Sequence, residues 1–403
     1  MRDLLHNKNI TLLTACCLIF GFVVSLCLLL VPLYTLDLSD SPFILAVVVA
    51  IFPLTSLSLS LATAVFSDYS GRRTVILSGF CLLSSGCLVL VAARSYHWLL
   101  LGQILLALGD VGFWVATYAL LMELAPPGRQ YALQGLGGAA LQLGTILGPL
   151  VGGYAAALGG FPVAFALAGT LAISGCILAV RVERTPARAA QMGPVLTSLA
   201  KCHRDAWHLL TGNAAILWAN LFDSIAHLTW FTVGGSFYLA FLTTAGFSSS
   251  AAGLLISGQL LVATLAQLTL AYWSKHAPIL TMAVAATIIG AVTLGITPLL
   301  GTVPLIVVVG CVAGVSRIEW PILMGFVAEN TDPTQRAMAV ALLNVTWGLL
   351  SPVFLFVLGF LVQGLGLASA FYATGAFVTL STALLWIWAR KRLVSDRSGV
   401  APG

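Results

Sequence analysis

The sequence predicts an all-α protein with twelve membrane-spanning helices. Hydrophobic residues make up 60% of its 403 residues and charged residues only 8%, whereas a soluble domain carries roughly 25% charged residues. Apolar runs close to the about 20 residues that cross a bilayer recur along the whole chain, separated by short polar breaks. The solvent for most of this chain is therefore lipid.

The polar breaks set the bounds of the predicted helices. These run over 10–34, 43–66, 74–93, 98–122, 131–157, 162–180, 213–241, 251–273, 279–300, 303–328, 336–361 and 367–389. The first run follows two basic residues as a secretory signal would, but it is too long and no Ala-x-Ala cleavage site follows. We expect it to be retained as the first span.

The basic residues indicate the orientation. If both termini are cytoplasmic, all of the 18 Lys and Arg residues except Arg94 and Arg317 fall on the cytoplasmic side, as the positive-inside rule requires. We therefore predict a multi-pass protein of the cytoplasmic (inner) membrane. The net charge of +5 then follows from topology and indicates no nucleic-acid partner.

A polar segment halfway along the chain predicts two domains. A cytoplasmic linker, 181–210, separates six helices in 1–180 from six in 211–403. Gly148-Pro149 in the first half is echoed by Ser351-Pro352 in the second, and internal repeats are typical of transporters built from two halves. We predict two pseudo-symmetric six-helix bundles, although chance repetition in a chain with 39 glycines is the alternative.

The loop between predicted helices 2 and 3 concentrates charge. Asp68 stands at the carboxyl end of its helix, where the helix dipole disfavours an anion. A turn at Gly71 followed by Arg72 and Arg73 supplies positive charge beside it. The segment is similar to the loop 2–3 signature of the major facilitator superfamily, Gly-x-x-x-Asp-x-x-Gly-Arg-Arg/Lys, with Ala64 in place of the first glycine. Arginines that only fix the topology are the alternative.

This resemblance implies a fold of two six-helix bundles and a latch at the cytoplasmic gate. It implies that Asp68 docks at the start of helix 11 and that Arg72 pairs with Glu123 at the end of helix 4. The residues that the resemblance assigns to the gating motif are Asp68, Gly71, Arg72, Arg73 and Glu123.

Helix 5 carries a stripe of glycines at four-residue spacing, which lets a second helix approach closely. Gly144, Gly148, Pro149, Gly152 and Gly153 match the superfamily's antiporter signature, Gly-x-x-x-Gly-Pro-x-x-Gly-Gly. This resemblance implies export rather than import, while simple glycine packing is the alternative. Proton antiporters often carry an arginine on helix 4 where this chain has Gln103, so no role of that arginine is expected here.

Ionisable residues near the middle of predicted spans are the main functional candidates. They are Asp110, Asp223, His227, Arg317 and Glu319. A central Asp or Arg costs about 2.5 to 3.5 kcal/mol on insertion scales, so each is expected to face a cavity or a partner. We predict that Asp223, Asp110 and Glu319 couple transport to protons. The alternative is structural pairing of Asp223 with His227 or of Asp110 with Arg317.

Polar and aromatic residues near these charges are the predicted cargo ligands. They are Trp114 and Tyr118 on helix 4, Asn220, His227 and Trp230 on helix 7, Arg317 and Trp320 on helix 10, and Asn344 on helix 11. In the superfamily, helices 1, 4, 7 and 10 line the central cavity. Assuming a regular helix, Arg317 and Glu319 point roughly 200° apart, and Arg317 beside Trp320 favours an anionic cargo.

These observations together predict a proton-driven exporter of a small organic molecule such as a drug, a siderophore or another metabolite. No Gly-x-x-x-x-Gly-Lys-Ser/Thr phosphate loop occurs, so we expect no ATP-driven pumping and no cofactor or metal. The partners we predict are the cargo, protons and membrane lipid, for a monomer. A proton-coupled importer or facilitator is one alternative. An intramembrane enzyme is another, but no metalloprotease motif is present.

Overall fold

The computed structural model describes residues 7–124, 130–183, 195–273, 279–300, 303–332 and 335–392. The first half contains α1 (Lys8–Leu38), α2 (Pro42–Ser70), α3 (Arg72–Val91), α4 (Tyr96–Leu124) and the stretch Gln130–Arg181. Gly160, with φ 79°, divides that stretch into α5 (130–159) and α6 (161–181). A positive φ is a conformation that glycine adopts readily, so the two helices meet in a sharp bend.

The second half starts with a helix that the sequence assigned to the linker, α7 (Val195–Gly212). It continues with α8 (Ala214–His227), a π-helical segment (Leu228–Phe237), α9 (Tyr238–Thr244), α10 (Ser249–Trp273), α11 (Ile279–Ile296), α12 (Val303–Ala313), a 3₁₀ segment (Gly314–Ile318), α13 (Glu319–Glu329), α14 (Arg336–Leu365) and α15 (Ala368–Arg392).

The helices have the length and composition of membrane spans. Among the described residues, nine helical stretches are long and apolar enough to cross a bilayer. One of these, Gly135–Arg181, contains both α5 and α6. With α2 and the run from α8 to α9, the described helices account for the twelve predicted spans. The predicted all-α polytopic fold is confirmed, and it follows from the need of every backbone group in lipid to be hydrogen-bonded within its own helix.

Side chains at the helix starts explain several boundaries. The Asn7 side chain accepts hydrogen bonds from two backbone N–H groups of α1, at 2.9 and 3.4 Å. Asn213 does the same for α8, at 3.0 and 3.2 Å. Ser41 caps α2, whose first residue is Pro42. These residue types satisfy the N–H groups that a helix start leaves unpaired.

The chain forms two compact units. The first comprises Met1–Lys201 with Leu242–Ser257, and the second comprises Cys202–Phe241 with Gly258–Gly403. Within the first unit, the start of α10 packs on α5, where Ser257 donates a hydrogen bond to the Ile146 carbonyl at 2.7 Å. This contact explains why 242–257 groups with the first half, in contrast to the predicted domain limits. Those limits remain a prediction.

The second unit has a core in which α7 takes part. Ala206 of α7 is buried in a cluster that includes Trp218 and Phe222 of α8. Leu209 and Leu210 pack against the same cluster, while Trp207 and Arg204 are exposed. The predicted linker therefore ends in an amphipathic helix that is anchored to the second unit.

Candidate transport site and gating contacts

A cluster of ionisable side chains is buried in the second unit. Asp223 is 0% exposed, Glu319 1% and His227 5%. Asp223 and His227 lie one turn apart on α8, and His227 Nδ1 is 3.4 Å from Asp223 Oδ1 and 3.0 Å from the Asp223 carbonyl oxygen. The carbonyl oxygen can only accept a hydrogen bond, so Nδ1 donates in this contact.

Glu319 and Arg317 complete the cluster. Glu319 interacts electrostatically with Asp223, His227 and Arg317. Neither Asp223 carboxylate oxygen, nor Glu319 Oε2, accepts a hydrogen bond from a described residue. Arg317 adds one guanidinium to a cluster that holds the two carboxyl groups of Asp223 and Glu319. Unbalanced charge in a nonpolar interior is strongly unfavourable, so a cluster of this composition is a candidate site for proton binding.

Two departures from regular α-helix adjoin the cluster. The π-helical segment begins at Leu228, directly after His227, and the 3₁₀ segment ends at Ile318, directly before Glu319. The regular helix that we assumed for Arg317 and Glu319 is therefore wrong, because a 3₁₀ turn has about 3.0 residues instead of 3.6. Gln267 donates a hydrogen bond to the Arg317 carbonyl at 2.9 Å, which satisfies a backbone group in this irregular stretch. π-helical turns inside α-helices are frequent at functional sites.

Two tryptophans surround His227. The Trp347 ring stacks on the imidazole with centroids 5.1 Å apart and planes 17° apart. Trp320 meets the same ring edge-on at 6.2 Å. Trp347, which lies in α14, was not among the predicted site residues, because it has no local signal beyond being a tryptophan in a span. The side chains of Trp230 and Asn344 lie outside the described residues.

Asn220, a predicted cargo ligand, is fully buried and engaged within its unit. Its Nδ2 donates to the Ile216 carbonyl at 2.8 Å, and its Oδ1 accepts from Thr346 Oγ1 at 3.1 Å. The bond from Thr346 joins α14 to α8, whereas the bond to Ile216 lies within α8. Asn220 thus helps to hold α8, the helix that carries Asp223, against α14.

The predicted stripe on α4 presents aromatic surface in the first unit. Trp114 is 38% exposed and stacks on Tyr118 with ring centroids 4.6 Å apart. Asp110 precedes Trp114 by one turn and is partly buried. Among the described residues of its own unit, Asp110 forms no salt bridge. Phe20 of α1 supports the indole edge-on at 6.2 Å.

The predicted gating residues of the first unit lie together. Arg72 forms a salt bridge with Asp68 and another with Glu123 at 3.3 Å, and it donates to Ser67 Oγ at 3.1 Å. Arg73 donates to the Val180 carbonyl at the end of α6. Gly71 has φ 85°, the conformation that lets α2 end and α3 begin within one residue. The turn thus ties α2 and α3 to α4 and α6.

The glycine stripe of α5 packs on α1. A Cβ at Gly144 would overlap the Leu18 carbonyl oxygen, and one at Gly148 would overlap Ser25 Oγ. A Cβ at Gly152 would lie 2.6 Å from Leu26 Cγ. α10 also packs closely on α5. A Cβ at Gly153 would lie 2.5 Å from the Ser249 carbonyl oxygen, and a Cβ at Gly253 of α10 would overlap the Pro149 carbonyl oxygen. The glycines therefore permit close contact of α5 with two helices.

A family profile described as the Major Facilitator Superfamily matches residues 11–244 and 223–402. The chain belongs to this superfamily. It is therefore a secondary transporter and not an enzyme.

This superfamily member resembles curated transporters over part of their length. It is 27% identical over 213 residues to a "Probable sugar efflux transporter" of Haemophilus influenzae strain 86-028NP, covering 51% of this chain and 52% of that protein. It is 34% identical over 108 residues to human "Solute carrier family 2, facilitated glucose transporter member 12", covering 27% and 17%. The matched part spans about half of the efflux relative and less of the human protein.

Solved structures of other transporters superpose on nearly the whole of this chain. A crystal structure of a mutant of the nucleoside transporter NupG superposes with a TM-score of 0.75 at 14% identity, covering 94% of this chain and 99% of that one. A peptide transporter, POT, in complex with sulfate also gives 0.75 at 14% identity, covering 95% and 94%. At this identity the likeness shows the fold.

Proposed function

We propose that this transporter exports a small organic molecule from the cytoplasm in exchange for protons, by alternating access. The observation that carries the proposal is the buried cluster of Asp223, His227, Glu319 and Arg317. These groups are closely surrounded by protein, and Asp223 and Glu319 are almost inaccessible. A proton is small enough to bind there, whereas an organic cargo needs more room. The cluster therefore supports coupling to protons more directly than it supports cargo binding.

The glycine stripe supports the direction of transport. It matches the antiporter signature residue by residue. The relative from Haemophilus influenzae is named for sugar efflux. The name of the human relative favours a second candidate, a facilitator that moves its solute downhill.

We place the cargo near Asp110, Trp114 and Tyr118. The stacked rings offer an exposed flat surface, and Asp110 adds a carboxyl group one turn away. A drug, a siderophore or another metabolite suits such a surface. Arg317 supports an anionic cargo less than the sequence suggested, because Glu319 already interacts with it.

The proton gradient supplies enough energy for the proposed export. One charge that falls through 100 mV releases about 2.3 kcal/mol. Since 1.4 kcal/mol corresponds to a tenfold ratio, one exchanged proton sustains roughly a 40-fold concentration ratio. We expect Asp223→Asn to reduce that ratio to about 1 while leaving downhill exchange in place, because the amide cannot carry the proton.

The test compares the metabolites of medium and cytosol in cells that produce the wild type, Asp223→Asn or Asp205→Asn. Asp205 lies on α7 outside the spans and serves as the matched control. An exporter moves a compound into the medium with the wild type and the control, but not with Asp223→Asn. Equal export by Asp223→Asn would reject proton coupling at this residue. A compound that wild-type cells take up instead would reject export.

A further inference from the structure

Two cysteines of different helices lie side by side in the first unit. The Sγ atoms of Cys81 on α3 and Cys176 on α6 are 3.7 Å apart. Gly175 explains this closeness, because the Phe80 ring occupies the space that a side chain at Gly175 would need. The two helices thus approach at the residues that directly precede the cysteines.

This cysteine pair is accessible from the outside of the bundle. Cys81 is exposed and Cys176 is half-buried. Leu88, two helical turns from Cys81, and Ile173 and Ile177, next to Cys176, are exposed apolar side chains. Leu88, Ile173 and Ile177 thus give the cysteine pair an exposed apolar surrounding that suits contact with lipid. The pair is therefore reached from the hydrocarbon.

A second pair in the same unit differs only in its access. Cys27 of α1 and Cys87 of α3 have Sγ atoms 3.9 Å apart, but both residues are buried. The spacing of the thiols is thus nearly the same in the two pairs. The chain supplies its own control for the effect of exposure.

We propose that Cys81 and Cys176 form a dithiol site for lipid-soluble trivalent arsenicals. Phenylarsine oxide has one As=O group. The two thiols displace it, so that two As–S bonds form, the As=O bond breaks, and both thiol protons leave with the oxygen as water. No electrons are transferred, so no oxidant is needed. Sulfur ligands are preferred by soft, thiophilic elements.

The surroundings select the kind of compound that reaches this site. Moving a hydrated polar species into hydrocarbon is unfavourable, so inorganic arsenite reaches the pair poorly, whereas phenylarsine oxide partitions into lipid. A thiol in hydrocarbon stays neutral because an isolated thiolate would lose its hydration. Neutral thiols react slowly with ordinary alkylating agents, since the thiolate is the usual nucleophile. An arsenical is favoured because its own oxygen accepts the protons.

The test exposes the purified full-length protein in lipid nanodiscs to phenylarsine oxide and measures intact mass. We expect one bridged adduct per chain in the wild type. Cys81→Ser and Cys176→Ser should each lose it, because the proposed bridge needs both of these thiols. Cys27→Ser and Cys87→Ser should keep it. Inorganic arsenite should give at least a tenfold lower yield, the ratio expected for about 1.4 kcal/mol of unfavourable partitioning.

Other results would overturn the proposal. An adduct that persists in Cys81→Ser or Cys176→Ser, or that is lost in Cys27→Ser, places the arsenic elsewhere. An unmodified wild type also refutes it. Size-exclusion profiles of all four variants report whether each is folded, and the alanine variant at the same position replaces any serine variant that is not. A dithiol added afterwards should remove the arsenic, whereas a monothiol should not.

Discussion

The close contact between α1 and α5 predicts how one added carbon atom changes the stability of the protein. In Gly144→Ala, the new Cβ would overlap the Leu18 carbonyl oxygen and lie 2.8 Å from the Phe22 nitrogen. That nitrogen would have to withdraw by about 0.6 Å to reach 3.4 Å, the near limit of ordinary contact. Both obstacles are backbone atoms, so no change of rotamer relieves the overlap and α1 must move away. Overpacking of this kind costs about 1–3 kcal/mol.

A second glycine of the same helix provides the control. A Cβ at Gly138 would have no described atom within 4 Å, so Gly138→Ala adds a methyl group in open space. Both variants gain about the same helix propensity, roughly 0.8–1.0 kcal/mol. The difference between them therefore isolates the packing effect.

The assay is the free energy of unfolding in detergent by denaturant titration. We expect Gly144→Ala to be less stable than Gly138→Ala by about 1–3 kcal/mol. Equal stabilities would refute the close packing of α1 on α5 and remove the structural reason for the glycine stripe. The comparison does not depend on knowing the cargo.

Three further changes follow from the described contacts. Thr346→Val removes the donor to Asn220 Oδ1 and should lower the unfolding free energy by about 1 kcal/mol, whereas Thr346→Ser should not. A double-mutant cycle with Arg72→Gln and Glu123→Gln should give a coupling free energy of about 0.2–1 kcal/mol. High salt should weaken this coupling, because both side chains are partly exposed. A coupling free energy that salt leaves unchanged contradicts this expectation. Gly71→Ala places a side chain at φ 85° and ψ 143° and should destabilise by about 1–3 kcal/mol, and a thermal melt identical to the wild type would show that the turn relaxes.

Much of the fold could be predicted because lipid imposes strong local rules. The twelve spans follow from runs of apolar residues, since each span must satisfy its own backbone. Interruptions within spans could not be predicted in the same way. The π-helical segment after His227 and the 3₁₀ segment before Glu319 leave little trace in composition, because they arise from packing between helices.

The candidate site was predicted in part. Asp223 and His227 are four residues apart, so helical periodicity alone places them on one face. The sequence also singled out Glu319 as a buried acid, but not its interaction with that pair, because it lies about ninety residues later in the chain. Trp347, which stacks on the imidazole, was missed for the same reason.

The sequence by itself determined which segments enter the membrane, their likeness to a known family and which costly side chains they carry. Only the tertiary structure decided which side chains of distant helices meet, as Glu319 does with Asp223 and Cys81 with Cys176. The physical reason is one of range. Helix periodicity and transfer energies act between near neighbours in the chain, whereas partners from distant helices are chosen by the fit of whole helix faces.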